Sequence, residues 1–157
     1  MMNAEQKARL RSLASHFRAA ILQGDKCNLP VDLKDFPRGA CGDASILLAK
    51  YLQQAGLGGF RYICGWRIEN ERPYSHAWLR QEDVIVDITA DQFPEIKESV
   101  IVTDNHSWYE TFLVEAEGPS DYEELDDRTQ AVLAAAYQAI LEHLGDAPWP
   151  LMNRRKK

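Results

Sequence analysis

The chain has 157 residues, of which 45% are hydrophobic and 27% are charged, proportions that predict a folded protein of one ordinary domain spanning residues 1–157. Its 24 acidic and 18 basic side chains give a net charge of −6, which argues against nonspecific binding to nucleic acid or anionic lipid. No stretch approaches the length of a membrane span and the first residues lack an unbroken apolar run, so we expect a cytoplasmic protein without a membrane partner.

The first predicted element is an amphipathic helix over residues 4–23. Leu10, Leu13 and Phe17 recur at helical spacing on one face, and charged side chains occupy the rest of the wheel. After this helix, the prolines between residues 28 and 37 disfavour helix at the positions before them, so this stretch is predicted to be an irregular connection.

A second helix is predicted from residue 40 to residue 55. It is apolar over a wide face, which is typical of a buried central helix, and Gly56 suits the position just after its end. This helix begins with the stretch that the chemistry depends on, since Cys41 falls in its first turn.

A run of strands follows, and a third long helix ends the pattern. Alternating apolar residues rich in aromatic and β-branched types predict strands over residues 60–68, 74–79, 84–88, 99–103 and 108–115. The last helix is predicted from about residue 121 or 126 to residue 144, followed by a tail at about 150–157 that we expect to be disordered. Helices followed by sequential strands indicate an α+β fold with an antiparallel sheet, in which residues 28–115 form the core of the domain.

Cys41 is the first candidate for chemistry. The N-terminus of a helix stabilises a thiolate through its unpaired N–H groups and the positive end of the helix dipole. Cys27, Cys41 and Cys64 lack the CxxC spacing of a metal or redox pair, and three cysteines suit a reducing compartment. The alternative is that Cys41 is an inert core thiol, as Cys64 in its predicted strand is expected to be.

His76 and Asp87 lie on two neighbouring predicted strands. With a connecting loop of two or four residues in symmetric register across 80–83, we expect Leu79 to face Val84 and His76 to face Asp87, on one face of the hairpin. A three-residue loop would instead put His76 opposite Ile88. Asp87 is then expected to orient the imidazole, whose other nitrogen takes the proton of Cys41. The alternatives are a strand histidine with its hydrogen bonds satisfied and an aspartate that caps the turn at Thr89.

These residues carry a resemblance. The Gly39-Ala40-Cys41-Gly42-Asp43 run, the His76-Ala77-Trp78-Leu79 strand and the Val86-Asp87-Ile88-Thr89 strand resemble the transglutaminase-like branch of the papain-like cysteine protease superfamily. The resemblance covers about residues 39–89 and implies a Cys41, His76, Asp87 triad without cofactor or metal. It further implies a thioester formed from an amide of a protein, peptide or small molecule and resolved by water or an amine. The reaction class follows from the resemblance, and the substrate does not.

The donors for the developing oxyanion are less defined. Papain-like enzymes often have a glutamine a few residues before the nucleophile, where this chain has Lys34-Asp35-Phe36. The Cys41 backbone N–H is the first candidate donor, and Gly42 leaves the backbone free to approach a substrate closely. Gln92 is either a second donor or a plain turn residue.

Several alternatives remain open at this stage. Asp43 and Ser45 fit helix capping, His106 is a possible replacement for His76 as base, and Cys41, His76 and Asp87 are a possible zinc site. For the whole chain, the alternatives to a hydrolase or acyl transferase are a non-catalytic binding domain of the same fold and a deamidase that acts on another protein.

Overall fold

The structure is a computed structural model that describes residues 1–24, 29 and 31–144. Cys27 and the tail expected at 150–157 lie outside these residues. Within them the chain forms four α-helices and five strands. They are α1 (Ala4–Gln23), α2 (Val31–Lys34), α3 (Cys41–Gln54), β1 (Arg61–Glu69), β2 (Arg72–Gln81), β3 (Val84–Asp87), β4 (Ile101–Thr103), β5 (Leu113–Pro119) and α4 (Asp127–Leu144).

The five strands form one antiparallel sheet in the order β4-β3-β2-β1-β5. A two-residue turn at Asn70 and Glu71 joins β1 to β2, and both residues have positive φ (53° and 64°), as a type I′ hairpin turn requires. A second two-residue turn, Glu82 and Asp83, joins β2 to β3. The predicted α+β class with an antiparallel sheet is confirmed.

Helices α1 and α3 pack against one face of the sheet, and α4 packs against these two helices. Buried side chains of α1, α3 and α4 pack there with Leu79, Val86 and Val102 from the strands, forming what we call the helical core. Helix α3 is central to it, because Leu47, Leu48 and the other apolar residues of its inner face are almost fully buried. Each fully buried leucine contributes about 1.5–3 kcal/mol relative to an exposed one, so this face supplies much of the driving force for folding.

The opposite face of the sheet carries a second, mostly aromatic core. We call it the aromatic cluster: Ile63, Trp78, Ile85, Phe93, Tyr109 and Phe112, with Trp108 half-buried at its margin. The three strand residues alternate with residues of the helical core, as the period of two requires. The rest come from the segment between β3 and β5, which folds back across the sheet.

The strand predicted over 108–115 is wrong in its first half. Tyr109–Thr111 form a 3₁₀ turn, and β5 begins only at Leu113. Thr111 donates both its backbone N–H (3.1 Å) and its hydroxyl (2.6 Å) to the Trp108 carbonyl, which closes the turn. The turn directs Tyr109 and Phe112 into the same cluster, which an extended strand would not do.

Two further predictions are made more definite by the structure. The last helix, predicted to begin at about residue 121 or 126, begins at Asp127, because the Asp126 carboxylate accepts from the backbone N–H (2.9 Å) and hydroxyl (2.8 Å) of Thr129 and so caps it. The connection over 28–37 contains the short helix α2, and Leu33 and Phe36 anchor this segment in the helical core. The helix predicted over 4–23 is confirmed.

Candidate active site

Cys41 is the first residue of α3 and is half-buried. The first main-chain bond of this helix runs from the Ala44 N–H to the Ala40 carbonyl (2.8 Å), and no side chain caps the helix at Ala40. The N–H groups of Cys41 and Gly42 therefore lack an acceptor within the helix, and they form the positive end of its dipole. The predicted position of Cys41 at a helix N-terminus is confirmed.

His76 and Asp87 form a buried pair. The imidazole Nε2 lies 2.7 Å from Oδ2 of Asp87, and the two side chains are 0% and 1% exposed. Because Nε2 faces the carboxylate, the other ring nitrogen, Nδ1, is the one directed toward the rest of the site.

The predicted register of this hairpin is wrong, although the pairing of the two side chains is found. The turn has two residues, so Leu79 pairs with Val86, and continuing the register sets Asp87 beside Trp78 and diagonal to His76. The shift from the expected register is two residues, which leaves Asp87 on the same face of the sheet. Diagonal neighbours on two strands are close enough for a long side chain to bridge them, and the His76 imidazole reaches Asp87 in this way.

Asp87 receives hydrogen bonds on both oxygens. The Tyr109 hydroxyl donates to Oδ2 (2.9 Å), and the Thr89 backbone N–H (2.9 Å) and hydroxyl (3.3 Å) donate to Oδ1. Burial raises the pKa of Asp87, but His76 and these donors outweigh that effect and hold the pKa below its usual value. Asp87 is therefore an anion, and it caps the turn at Thr89 while it holds the imidazole.

His76 is correspondingly held in its charged form. Burial lowers the pKa of the imidazole, whereas the charge and hydrogen bond of Asp87, and then the nearby Cys41 thiol, raise it. The net effect raises the pKa of His76 from 6.5 to about 9. Because Cys41 is among the groups that raise the pKa of His76, its thiol lies near the buried His76–Asp87 pair.

Gln92 lies on the Nδ1 side of the imidazole. Its amide nitrogen is 3.5 Å from Nδ1 and donates to the Thr89 carbonyl (3.1 Å). Its amide oxygen accepts from the Gly39 N–H at 3.5 Å, two residues before Cys41. Gln92 thus contacts both the base and the loop that leads to the nucleophile.

The aromatic cluster encloses His76. Five rings lie with centroids 5.3–6.5 Å from that of the imidazole, namely Trp78, Phe93, Trp108, Tyr109 and Phe112. Gly65, the cross-strand partner of His76, makes this packing possible, because a Cβ there would stand 2.9 Å from the Leu113 carbonyl and 3.1 Å from Cβ of Phe112. The enclosure excludes water and strengthens the His76–Asp87 interaction.

Tyr62 and Cys64 also lie at the site, and the sequence interpretation missed both. They are half-buried on the helix-facing side of β1, and the Tyr62 hydroxyl lies 3.2 Å from the position that a Cβ on Gly42 would take. Burial and then the neighbouring thiols raise the pKa of Tyr62, and burial followed by Cys41 raises that of Cys64. The expectation that Cys64 belongs to the sheet core is wrong. Alternation could have placed both residues on one face of β1, but not against α3.

An open groove of about 620 Å³ reaches the site at Gln92. Its other lining residues are Asp91 and the segment from Asp35 to Arg38, so most of the wall is polar. A smaller depression of about 280 Å³ lies away from these residues, between the second half of α3 and the start of β1.

The other residues considered from the sequence make contacts outside the candidate triad. The Ser45 hydroxyl donates to the Ala77 carbonyl (3.4 Å), which ties α3 to β2 and does not cap the helix. Nε2 of His106 lies 2.7 Å from the Asp83 carbonyl at the β2–β3 turn, away from Cys41. Asp43 lies in the first turn of α3, as expected for an acidic residue at a helix N-terminus. Across residues 1–24, 29 and 31–144, no group of three His, Cys, Asp or Glu side chains is placed to hold a metal ion.

The fold and site define an α+β protein with a thiol, an imidazole and a carboxylate at one end of its central helix. Comparisons with protein-family models, curated proteins and solved structures find no match to this chain. Among the described residues, no helix combines the length and apolar character needed to cross a bilayer.

Proposed function

We propose that the protein is a thiol-dependent hydrolase or acyl transferase that acts on amides, as its resemblance to the transglutaminase-like branch implies. The observation that carries this proposal is the Cys41 thiol at the open N-terminus of α3, beside an imidazole whose far nitrogen is held by a buried aspartate. A nucleophile, a base and an orienting carboxylate in this order are the groups that nucleophilic acyl transfer requires.

In the proposed acylation, the Cys41 thiolate attacks the carbonyl carbon of the amide, and the carbonyl electron pair moves to oxygen. The His76 imidazolium then gives its Nδ1 proton to the departing nitrogen, the C–N bond breaks, and ammonia or an amine leaves a thioester on Cys41. The hydrogen bond from Nε2 to Asp87 keeps the imidazole oriented throughout. The negative charge of Asp87 also favours the protonated ring.

In the proposed deacylation, water or an amine attacks the thioester while Nδ1 of His76 takes its proton. The C–S bond breaks, the product leaves, and the thiolate is restored. The open groove beside Gln92 favours an extended peptide or a protein as the substrate over a small amide, which a narrow tunnel would suit better.

The test is the selectivity of Cys41 toward acyl donors and alkylating agents. We expect iodoacetamide at neutral pH to label Cys41 much faster than Cys27 or Cys64, as measured by peptide mass spectrometry over time. An activated ester should form a hydroxylamine-sensitive thioester at Cys41, and Cys41→Ser should abolish it, whereas Cys64→Ser should retain it. Equal labelling of the three cysteines, or no thioester in the wild type, would overturn the proposal.

One observation favours a second candidate function, a binding domain that retains the fold without turnover. The His76 side chain is 0% exposed, and a general acid must reach the leaving group. In that case His76→Gln would leave the acylation rate at Cys41 unchanged. The catalytic proposal expects a fall of about 100-fold or more.

A deamidase would instead be identified by the single-unit mass increase of a glutamine in a partner protein.

A further inference from the structure

We propose that the Tyr62 hydroxyl contacts the substrate and donates a hydrogen bond to the carbonyl oxygen that Cys41 attacks. This inference rests on the proposed function and deepens it by naming a donor for the oxyanion. Tyr62 has no part in the expected triad, and its sequence context, an alternating strand, does not single it out.

The placement of Tyr62 follows from the register of β1. Tyr62 pairs with Leu79 of β2 on one side and with Gly118 of β5 on the other. Because Leu79 belongs to the helical core, Tyr62 lies on the face of the sheet that α3 covers. Its hydroxyl lies there beside Gly42, the second residue of the helix. The distance from this hydroxyl to the position that a Cβ on Gly42 would take is 3.2 Å.

This position is the open end of α3. The N–H groups of Cys41 and Gly42 have no acceptor within the helix, and the hydroxyl of Tyr62 lies beside them. Hydrogen-bond donors that converge next to a nucleophile are the arrangement that stabilises the oxyanion of acyl transfer. A side-chain hydroxyl and a helix amide would share that role here.

The hydroxyl is free to change its partner when a substrate binds. The Cys64 and Cys41 thiols are the neighbouring groups that, after burial, raise its pKa, and sulfur is a weak acceptor that an oxyanion would readily replace. Burial raises the pKa of Tyr62, so the hydroxyl retains its proton across the working pH range.

The pattern of exposure gives the direction of approach. Cys41, Gly42, Tyr62 and Cys64 are all half-buried, whereas His76 behind them is fully enclosed. The exposed part of Cys41 therefore adjoins that of Tyr62, so a carbonyl that reaches the thiol can also reach the hydroxyl. Gln92, the donor expected from sequence, is bonded through its amide nitrogen to the Thr89 carbonyl and through its amide oxygen to the Gly39 N–H, so we do not assign it to the oxyanion.

The experiment compares two reactions of the same thiol. Alkylation by iodoacetamide occurs at a saturated carbon and develops no oxyanion, whereas acylation by p-nitrophenyl acetate passes through one. For Tyr62→Phe we expect acylation to fall about 100-fold while alkylation stays within about twofold of the wild type. Tyr74→Phe, which removes a half-exposed hydroxyl from β2, is the matched control and should change neither rate.

A second variant tests the same contact from the helix. Gly42→Ala would push the Tyr62 hydroxyl aside by a few tenths of an ångström, and alanine suits a helix better than glycine, so the fold is retained. We expect a smaller loss of acylation with alkylation again preserved. Circular dichroism melting checks that each variant is folded.

The outcomes separate this inference from the proposed function. If the wild type acylates and Tyr62→Phe acylates equally fast, Tyr62 is not a donor and the function stands. If both rates fall together in Tyr62→Phe, the hydroxyl acts on the thiol and not on the carbonyl oxygen, which also overturns the inference. If the wild type forms no thioester, the proposed function fails and the inference fails with it.

Discussion

Asp87 illustrates how a buried charge is retained at a single residue. An isolated carboxylate would be strongly destabilised in this environment, yet Asp87 meets an imidazolium, a tyrosine hydroxyl, a threonine hydroxyl and a backbone N–H. Removing one member of such a buried pair typically costs about 3–5 kcal/mol, because the other charge is left uncompensated. The aromatic cluster, which excludes water, therefore makes His76 and Asp87 dependent on each other.

This dependence predicts how stability changes with pH. The pKa of His76 is raised in the folded state from 6.5 to about 9, so its contribution is fully present below 6.5 and is lost as the pH rises through 9. The shift corresponds to an upper limit of roughly 3 kcal/mol. Urea unfolding at a series of pH values between these limits should show the free energy of unfolding falling as the pH rises.

Asp87→Asn is the comparison for the pH series. Without the carboxylate, burial dominates and lowers the pKa of His76, so the fall in stability between pH 6.5 and 9 should disappear. The midpoint of His76 in an NMR titration should move down in the same variant. An unchanged slope in Asp87→Asn would show that other groups cause the pH dependence.

At the scale of elements, the hairpins show which part of the site the sequence could predict. Period-two alternation predicted that His76 and Asp87 lie on one face of the sheet. This prediction holds although the register is shifted by two residues, because a shift of two leaves each side chain on the same face. The register itself depends on the turn. Glu82 adopts a positive φ of 55° in this turn, which its residue type does not predict. The sequence therefore predicted which two side chains pair and on which face of the sheet. The strand register that sets their relative position is determined by the backbone of the turn.

The β1–β2 turn offers a direct test of this backbone strain. Glu71 has a φ of 64°, a conformation that costs a residue with a side chain about 1–2 kcal/mol and glycine much less. We expect Glu71→Gly to raise the free energy of unfolding by about 0.5–1 kcal/mol, measured by urea denaturation.

Arg72→Gly is the matched control for this turn. Arg72 is the next residue and lies in β2 opposite Glu69, where glycine should lower stability by about 0.5–1 kcal/mol. If Glu71→Gly destabilises the protein as much as Arg72→Gly, the turn is not strained at Glu71.

At the scale of the whole molecule, the sequence predicted the central helix and the antiparallel sheet but not the contacts between distant segments. Periodicity reports which face of an element is buried, and it carries no information on what covers that face. Tyr62 against Gly42 and Tyr109 on Asp87 join residues 20 and 22 positions apart, and each was visible only in the folded chain. The first helix shows the same limit, because its periodicity placed the charged side chains away from the buried face without indicating what they contact.

Arg18 connects α1 to the segment that carries Gln92. Its guanidinium donates to both carboxylate oxygens of Asp91 (2.9 and 3.1 Å) and to the carbonyls of Ile88 and Ser99. It also lies 5.1 Å from the ring centroid of Phe36, in the loop that leads to Cys41. A single side chain thus holds both segments that flank the candidate site.

We therefore expect Arg18→Met to lower the free energy of unfolding by about 2–3 kcal/mol, because it leaves a partly buried carboxylate and two carbonyls without their donor. It should also slow the alkylation of Cys41, since Asp91 adjoins Gln92. Lys7→Met removes a more exposed pair, Lys7–Asp104, from the same helix and should cost at most about 0.5 kcal/mol. Urea denaturation and the iodoacetamide rate measure both variants. Equal losses of stability in the two, or a Cys41 rate unchanged in Arg18→Met, would show that α1 does not support the site through Arg18.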